Sequence, residues 1–255
     1  MPVHDATQRF SSRVWNYVRY RPGYPPAVLE LLKHDCGLSP AAVIGDVASG
    51  TGIFTRLLLE NGNRVFGVEP NAKMRTAAEE LLAGFPGFTS VTGSAEATTL
   101  AARSVDFVTA AQAAHWFDRE RARREFVRIL QPGGWVVLLW NERLTDGTPF
   151  LSDYEKLLMT FGTDYQDVRH ERTTDDVGSF FAPARFQMRV FENRQEFDYP
   201  ALEGRLLSSS YTPQGDDDPR YAPMLAELRR IYDAHQLAGR VSFEYATRVY
   251  YGQLA

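Results

Sequence analysis

Apolar positions alternate with turn residues in a regular way through the first half of the chain. Ala42, Val43 and Ile44 run into Asp46-Val47-Ala48 without the in-and-out alternation of a half-exposed strand, so this segment reads as a strand buried on both faces. Ser49-Gly50-Thr51-Gly52 breaks it. Ile53 to Asn61 then carries Phe54, Leu57 and Leu58 at helical spacing and stops at Gly62, a residue suited to a helix C-terminus. The same unit repeats: Arg64 to Val68 as a strand, Asn71 to Leu82 as a helix, Phe88 to Gly93 and Val105 to Ala111 as strands, and Arg119 to Leu130 as a helix. Gln131-Pro132-Gly133-Gly134 ends that helix, and Trp135 to Trp140 forms a fifth strand. Strands alternating with helices over about 100 residues predict an α/β fold with a doubly wound parallel sheet.

Past Asn141 the pattern changes. Asp153 to Phe161 reads as a helix, Phe186 to Tyr199 and Val241 to Gln253 as longer strands with alternating exposure, and Tyr221 to Gln236 as a helix after the turn-rich Thr212 to Pro219. The two late strands are expected to extend the same sheet to seven strands, mostly parallel, with residues near 150 to 185 as a helical cover. The organisation predicted is a lid over 1–40, a ligand-binding core over 41–142, and cover plus last strands over 143–255.

Composition narrows the class. The chain has 255 residues, 44% hydrophobic and 24% charged, with a formal net charge of −4. A chain of this length buries roughly three quarters of its unfolded surface and needs no staples. One cysteine, Cys36, excludes an internal disulfide and any multi-thiolate metal site, and fits a reducing cytoplasm. The first twenty residues hold no apolar run of signal-peptide length, and no later stretch reaches the roughly 18 residues of a membrane span, so a soluble, cytoplasmic protein is expected. Mild acidity argues against a nucleic-acid partner bound through a basic face.

In a doubly wound sheet the ligand sits outside the carboxyl ends of the strands, so the residues after each strand are the ones that carry chemistry. Asp46, Ala48, Ser49, Gly50 and Gly52 form a small-residue turn that lets a ligand approach backbone and helix N-terminus. Glu69 follows Gly50 by nineteen residues, at the tip of the second strand, where a carboxylate takes hydrogen bonds from both hydroxyls of a ribose. A dinucleotide enzyme needs a small residue at the position that Thr55 occupies, and no glycine precedes Lys-Ser or Lys-Thr as in a P-loop.

These segments resemble the class I S-adenosylmethionine-dependent methyltransferases, and among them the trans-aconitate methyltransferase-like, small-molecule branch. Asp46-Val47-Ala48-Ser49-Gly50-Thr51-Gly52, Val68-Glu69-Pro70, Gly93-Ser94-Ala95-Glu96, Gln112-Ala113-Ala114-His115-Trp116-Phe117 and Leu130-Gln131-Pro132-Gly133-Gly134 carry the resemblance. It implies a Rossmann-like methyltransferase fold and S-adenosyl-L-methionine as cofactor. The glycine turn would hold the methionine part and Glu69 the ribose. Pro70 and Met74 would flank the adenine; Ser94, Ala95 and Glu96 would line its edge, and Gln112 and Ala113 would touch the cofactor from the fourth strand. Ala48 stands where the family has its first glycine, which a negative φ would accommodate, and Ser94 stands where an acid often meets the adenine amino group.

Acceptor-side candidates are looser. His115 is the candidate base, because an imidazole titrates near neutral pH and follows the fourth strand. Tyr20, Trp116, Trp140 and Asn141 are candidate pocket-lining residues, with Trp15, Tyr17 and Phe117 as further aromatics, and Arg21 in Tyr20-Arg21-Pro22-Gly23-Tyr24-Pro25 can pair with a carboxylate of cofactor or substrate. Asp216-Asp217-Asp218 lacks the spacing of a calcium loop, and no zinc-ligand pattern occurs. The expected reaction is methyl transfer to an oxygen of a small molecule. A cofactor-binding sensor or partner without catalysis, and an NAD-linked oxidoreductase, remain as alternatives.

Overall fold

The computed structural model describes residues 18–165, 173–213, 215 and 217–254. Seven strands form one sheet in the order β3-β2-β1-β4-β5-β7-β6. They are β1 (Val43–Val47), β2 (Arg64–Val68), β3 (Phe88–Val91), β4 (Val105–Ala111), β5 (Leu130–Arg143), β6 (Phe186–Phe197) and β7 (Val241–Gly252). Strands β1 to β5 run parallel to one another, whereas β7 runs antiparallel between β5 and β6. The chain winds outward from β1 to β3 and then returns to lay β4 on the other side of β1. That reversal is the switch point at which a ligand crevice opens.

Among the described residues the strands are connected and covered by α1 (Ala27–Cys36), α2 (Ile53–Glu60), α3 (Ala72–Leu81), α4 (Arg119–Ile129), α5 (Pro149–Phe161), α6 (Thr173–Phe181), α7 (Tyr199–Leu207) and α8 (Tyr221–His235). Alternate strand residues choose the partners. Ile44, Val65, Phe107, Val137, Leu139 and Val249 pack on one face against α1, α2 and Ala78 of α3. Val47, Val68, Val108, Val136, Leu138 and Trp140 pack on the other against Ala122, Phe126 and Ile129 of α4 and Phe180 and Phe181 of α6. Asn71 and Asp118 start α3 and α4 by accepting backbone N–H groups of the first turn, as N-cap side chains do.

Strands β6 and β7 stay paired past the end of β5, where Arg143 pairs with Tyr245, and a third cluster sits on the overhang. Phe150, Tyr154, Leu157 and Leu158 of α5, Leu202 and Leu206 of α7, and Met224, Leu228 and Ile231 of α8 close on Phe197, Val241, Phe243 and Tyr245. This is the cap.

Several expectations change here. The stretch near 150 to 185 is not one cover: α5 joins the cap, while α6 lies with α4, the rings of Phe126 and Phe180 being 5.5 Å apart. Helix α7 had no expected element, because Asp198 caps it and Pro200 falls in its first turn, ending strand β6 two residues early. Strand β5 begins at Leu130, not Trp135. Val105 pairs with Leu130 and Phe107 with Trp135, so Gln131-Pro132-Gly133-Gly134 is an outward excursion within the strand, with Gly133 at φ 79°. Of the expected lid, 1–17 lie outside the described residues, and α1 is part of the sheet-covering layer.

Candidate functional site

The carboxyl ends of β1 and β2 build a turn around one carboxylate. Glu69 is buried, and its two oxygens accept the N–H of Gly50 at 3.0 Å and of Asn71 at 2.8 Å. Arg75 reaches back from α3 to the carbonyls of Glu69 and Pro70, each at 2.9 Å. Burial raises the Glu69 carboxyl above its ordinary range, and the two N–H donors and the Arg75 charge pull in the opposite direction. A carboxylate has about four acceptor positions, so two hydrogen bonds leave room for two ligand hydroxyls.

Three residues of the turn adopt left-handed backbone: Ala48 at φ 55°, Gly50 at 58° and Gly52 at 84°. For Ala48 this corrects the expected negative φ, and a side chain held there is strained. Ser49 N–H donates to Val68 O at 3.1 Å, which ties the turn to β2. A methyl on Gly50 would meet open space, so its backbone is approachable from outside; one on Gly52 would strike Leu82 at 2.6 Å. Thr51 Oγ1 is buried and has no hydrogen-bond partner among the described residues. An orphaned hydroxyl beside an approachable glycine backbone and a carboxylate with spare acceptor positions fits a bound nucleoside with a polar tail.

Asp46 does not face that space. It is 1% exposed, and its oxygens accept the hydroxyls of Thr55 at 2.5 Å and Thr109 at 2.7 Å. Burial lifts its carboxyl to about 6, the two hydroxyls pull it down, and the Glu69 charge lifts it further. Asp46 therefore acts by locking β1 to α2 and β4. Thr55, the residue that disqualified a dinucleotide motif, is one of its two donors.

The remaining cofactor-side candidates divide. Pro70 is exposed beside Glu69, and Met74 is buried against Val18 of the N-terminal segment. Ser94 and Ala97 exchange backbone hydrogen bonds in a tight turn, Ala95 is buried in the sheet-face core, and Glu96 accepts the N–H of Asp118 at 2.9 Å. Gln112 sits at φ 58° at the end of β4, its amide donating to Asn141 O at 2.8 Å, and Ala113 is buried.

On the acceptor side the structure corrects two expectations. Trp140 is 1% exposed, packed edge-on to Tyr250 at 5.7 Å, so it lines no open pocket; its indole N–H points at His115 Nδ1 at 3.4 Å. Asn141, also buried, donates to Gly23 O at 3.0 Å and accepts from Thr247 Oγ1 at 2.5 Å, so it anchors the N-terminal segment. Asn193 donates to the same Gly23 oxygen at 2.8 Å. His115 lies exposed in a single 3-10 turn, Ala114–Trp116, its ring 4.8 Å from that of Trp116, which is 38% exposed. Phe117 packs on Phe126. Arg21 donates to Ser208 O of the cap at 3.1 Å, and the Tyr20 ring packs against Gly204 of α7, where a methyl would overlap it. Trp15 and Tyr17 lie outside the described residues, as does Asp216. Thr55, Thr109, Asn71 and Arg75 had no place among the sequence candidates; of these only Asn71 carried a signal, as the polar residue before a helical run.

A sheet that reverses at β1 and β4, with a glycine turn and an acid on the next strand tip, defines a Rossmann-like nucleoside-binding class. Residues 45–138 match the family model of the methyltransferase domain. An uncharacterized methyltransferase of Mycobacterium tuberculosis is 40% identical over 141 residues, 54% of this chain and 54% of that one. Another, of Schizosaccharomyces pombe, is 31% identical over 150 residues, 58% of each chain. The match thus spans just over half the length of these curated relatives. Among solved structures, a protein assigned as a type II methyltransferase from Anaeromyxobacter dehalogenans shares the fold with TM-score 0.66 and 22% identity, over 92% of this chain and 98% of that one. The YcgJ protein of Bacillus subtilis does so with TM-score 0.57 and 19% identity, over 89% and 97%. Residues 45–138 are thus similar in sequence to methyltransferase domains, and the chain shares its fold with the two solved structures. Among the described residues no helix is long and apolar enough to cross a membrane.

Proposed function

We propose that the chain transfers the methyl group of S-adenosylmethionine to an oxygen, carboxylate or hydroxyl, of a small-molecule acceptor. The observation that carries the cofactor half is the Glu69 carboxylate, fixed by the N–H groups of Gly50 and Asn71 beside an approachable glycine turn. The ligand supplies a methyl group already activated on a sulfonium, so the protein's work is alignment and exclusion of water. Glu69 would hold the ribose hydroxyls, the Ala48–Gly52 backbone the methionine part, and Thr51 Oγ1 a polar atom of it. Pro70 and Met74 would flank the adenine. Asp46 acts at one remove, by holding β1, α2 and β4 in register.

A carboxylate acceptor is already a nucleophile and needs no base, so on this reading the exposed His115, which meets the Trp140 indole N–H and the Trp116 ring, need not act as one. Calorimetry with S-adenosylhomocysteine, the demethylated product, tests the cofactor half; absence of binding by the intact chain refutes the proposal. Screening carboxylic acids and phenols for cofactor-dependent methylation tests the rest. A protein that binds the cofactor and methylates no acceptor is a sensor or partner subunit.

A further inference from the structure

Strand β5 ends its buried run on a side chain that sheet packing does not require. Val136 to Trp140 are buried or nearly so and apolar, and Asn141 follows them at 6% exposure. A buried amide costs free energy unless its donors and acceptors are met. Three distant segments meet this one: its Nδ2 donates to Gly23 O at 3.0 Å, and its Oδ1 accepts Thr247 Oγ1 at 2.5 Å and Asn193 Nδ2 at 3.2 Å. Asn193 Nδ2 also donates to Gly23 O, at 2.8 Å. Two amides therefore hold one carbonyl of the N-terminal segment. A satisfied buried network of this kind selects one arrangement of the segments it joins.

That carbonyl belongs to a strap, residues 18–25, which reaches both walls of the crevice. The Tyr24 ring meets Phe54 edge-on at 5.0 Å, and Phe54 lies two residues after Gly52 of the glycine turn. Back along the chain, Pro22 is buried, Arg21 donates to Ser208 O of the cap at 3.1 Å, and the Tyr20 ring packs against Gly204 of α7. Val18 then packs on Met74 and Ala77 of α3. The Met74 N–H is bonded to the Asn71 side chain, and the Asn71 N–H to Glu69. The strap thus starts beside the carboxylate cradle, crosses to the cap and returns to the helix that follows the glycine turn. Asn141 meets the cradle side too, because its main-chain oxygen accepts Gln112 Nε2 at 2.8 Å from the tip of β4. Gln112 holds a left-handed φ of 58° without being glycine, a conformation that persists only where the surroundings fix it.

We infer that Asn141 is a positioning residue for methyl transfer: with Asn193 it holds the N-terminal strap across the crevice, so that bound S-adenosylmethionine leaves only when Gly23 O is released. The strap then supplies part of the exclusion of water that the reaction needs, and Asn141 acts through it. This rests on the methyl-transfer reading, and the test separates the two.

Uptake and release of S-adenosylhomocysteine by the full chain are followed by stopped-flow fluorescence. Tryptic cleavage after the exposed Arg19 is followed by mass spectrometry, with and without that ligand. The chains compared are the unmodified one, Asn141→Ala, Asn193→Ala and, as a control for lost stability, Leu228→Ala in the buried face of α8. In the unmodified chain the ligand should slow cleavage after Arg19 at least about tenfold. Asn141→Ala loses one bond to Gly23 O and the acceptor that orients the Asn193 amide, while the Gln112 bond survives because it goes to the main chain. Release should quicken at least about tenfold, uptake should change less than about threefold, and the ligand should no longer protect Arg19. Asn193→Ala removes only the second donor and should quicken release about threefold. Leu228→Ala should melt lower through the cavity it leaves, with release and protection as in the unmodified chain. Unchanged release in Asn141→Ala, an Arg19 bond that the ligand does not protect in the unmodified chain, or equal acceleration in Leu228→Ala each overturns the inference. Should Asn141→Ala not fold, Asn193→Ala decides by the same two readouts. An unmodified chain that does not bind S-adenosylhomocysteine refutes the methyl-transfer reading and the inference with it; binding without protection of the strap refutes the inference alone.

Discussion

The two ends of the crevice bury opposite charge by opposite means. At β1 and β2 the buried groups are carboxylates, Asp46 and Glu69, and their partners are hydroxyls and backbone N–H groups within the same strand-turn-helix units or on the adjacent strand. In the cap the buried groups are guanidiniums, Arg143 and Arg205, resting on aromatic rings contributed by α5 and β7. Satisfied carboxylates make a rigid cradle. The cap guanidiniums are held by side chains drawn from distant segments, Arg143 by Glu155 and Tyr165 and Arg205 by the Ser208 and Ser209 hydroxyls.

The sharpest way to break that contrast is to damage one end and watch the other. Phe243 is fully buried and touches the rings of Phe150, Tyr154 and Phe197 as well as both guanidiniums. Phe243→Ala should cost about 3–5 kcal/mol in chemical denaturation through the cavity it leaves. Affinity for S-adenosylhomocysteine should change less than about threefold at temperatures where the variant is folded, since the cradle shares no side chain with the cap. A parallel loss of cofactor affinity would mean the two ends are one unit. The reciprocal change, Glu69→Ala, removes two charge-assisted hydrogen bonds and the ribose acceptor; each such bond is worth about 1.5–3 kcal/mol, so at least about 100-fold loss of S-adenosylhomocysteine binding is expected by calorimetry.

Asp46 sharpens the comparison through pH. Its folded carboxyl titrates near 6 instead of its usual 3.8, so between those values the folded chain holds a proton that the unfolded chain has released. Stability should therefore fall as pH rises from about 4 to 6, by up to about 3 kcal/mol from this group, with the cost fully present at neutral pH. Asp46→Asn keeps one acceptor for a threonine hydroxyl and abolishes the charge, so its denaturation midpoint should lose that slope. An unchanged slope in Asp46→Asn would sink the assignment.

What could be read from sequence follows the same division. The strands and helices from Val43 to Ile129 were legible because apolar spacing, a glycine turn and polar caps sit within a few residues of each other. Glu69 was legible for the same reason: nineteen residues from Gly50 is one strand-turn-helix-strand repeat. The cap was not legible. Arg143, Arg205 and Phe243 meet although 62 and 38 residues of chain separate them in turn, and no local pattern announces a meeting of that range. Trp140 misled because strand-end placement does not fix the face: alternation turns it into the α4 and α6 side while Asn141 turns the other way. Thr55 spoke in the sequence only against a dinucleotide motif, and nothing local marks either Thr55 or Thr109 as a partner of Asp46.

The smallest effect concerns Ala48. Its φ of 55° lies where an L side chain crowds the following carbonyl, at about 1 kcal/mol or slightly more for a non-glycine residue. Ala48→Gly relieves that strain but gives the unfolded chain more freedom, which takes back a part. A net gain of about 0.5–1 kcal/mol is expected, or a melting temperature about 2 °C higher for a chain of this length. Affinity for S-adenosylhomocysteine should hold or tighten slightly, because Glu69 and the Gly50 N–H keep their places. A lower melting temperature together with weaker binding would show that the methyl group of Ala48 braces the turn against Glu69, and the cradle would then owe its rigidity to strain as well as to hydrogen bonds.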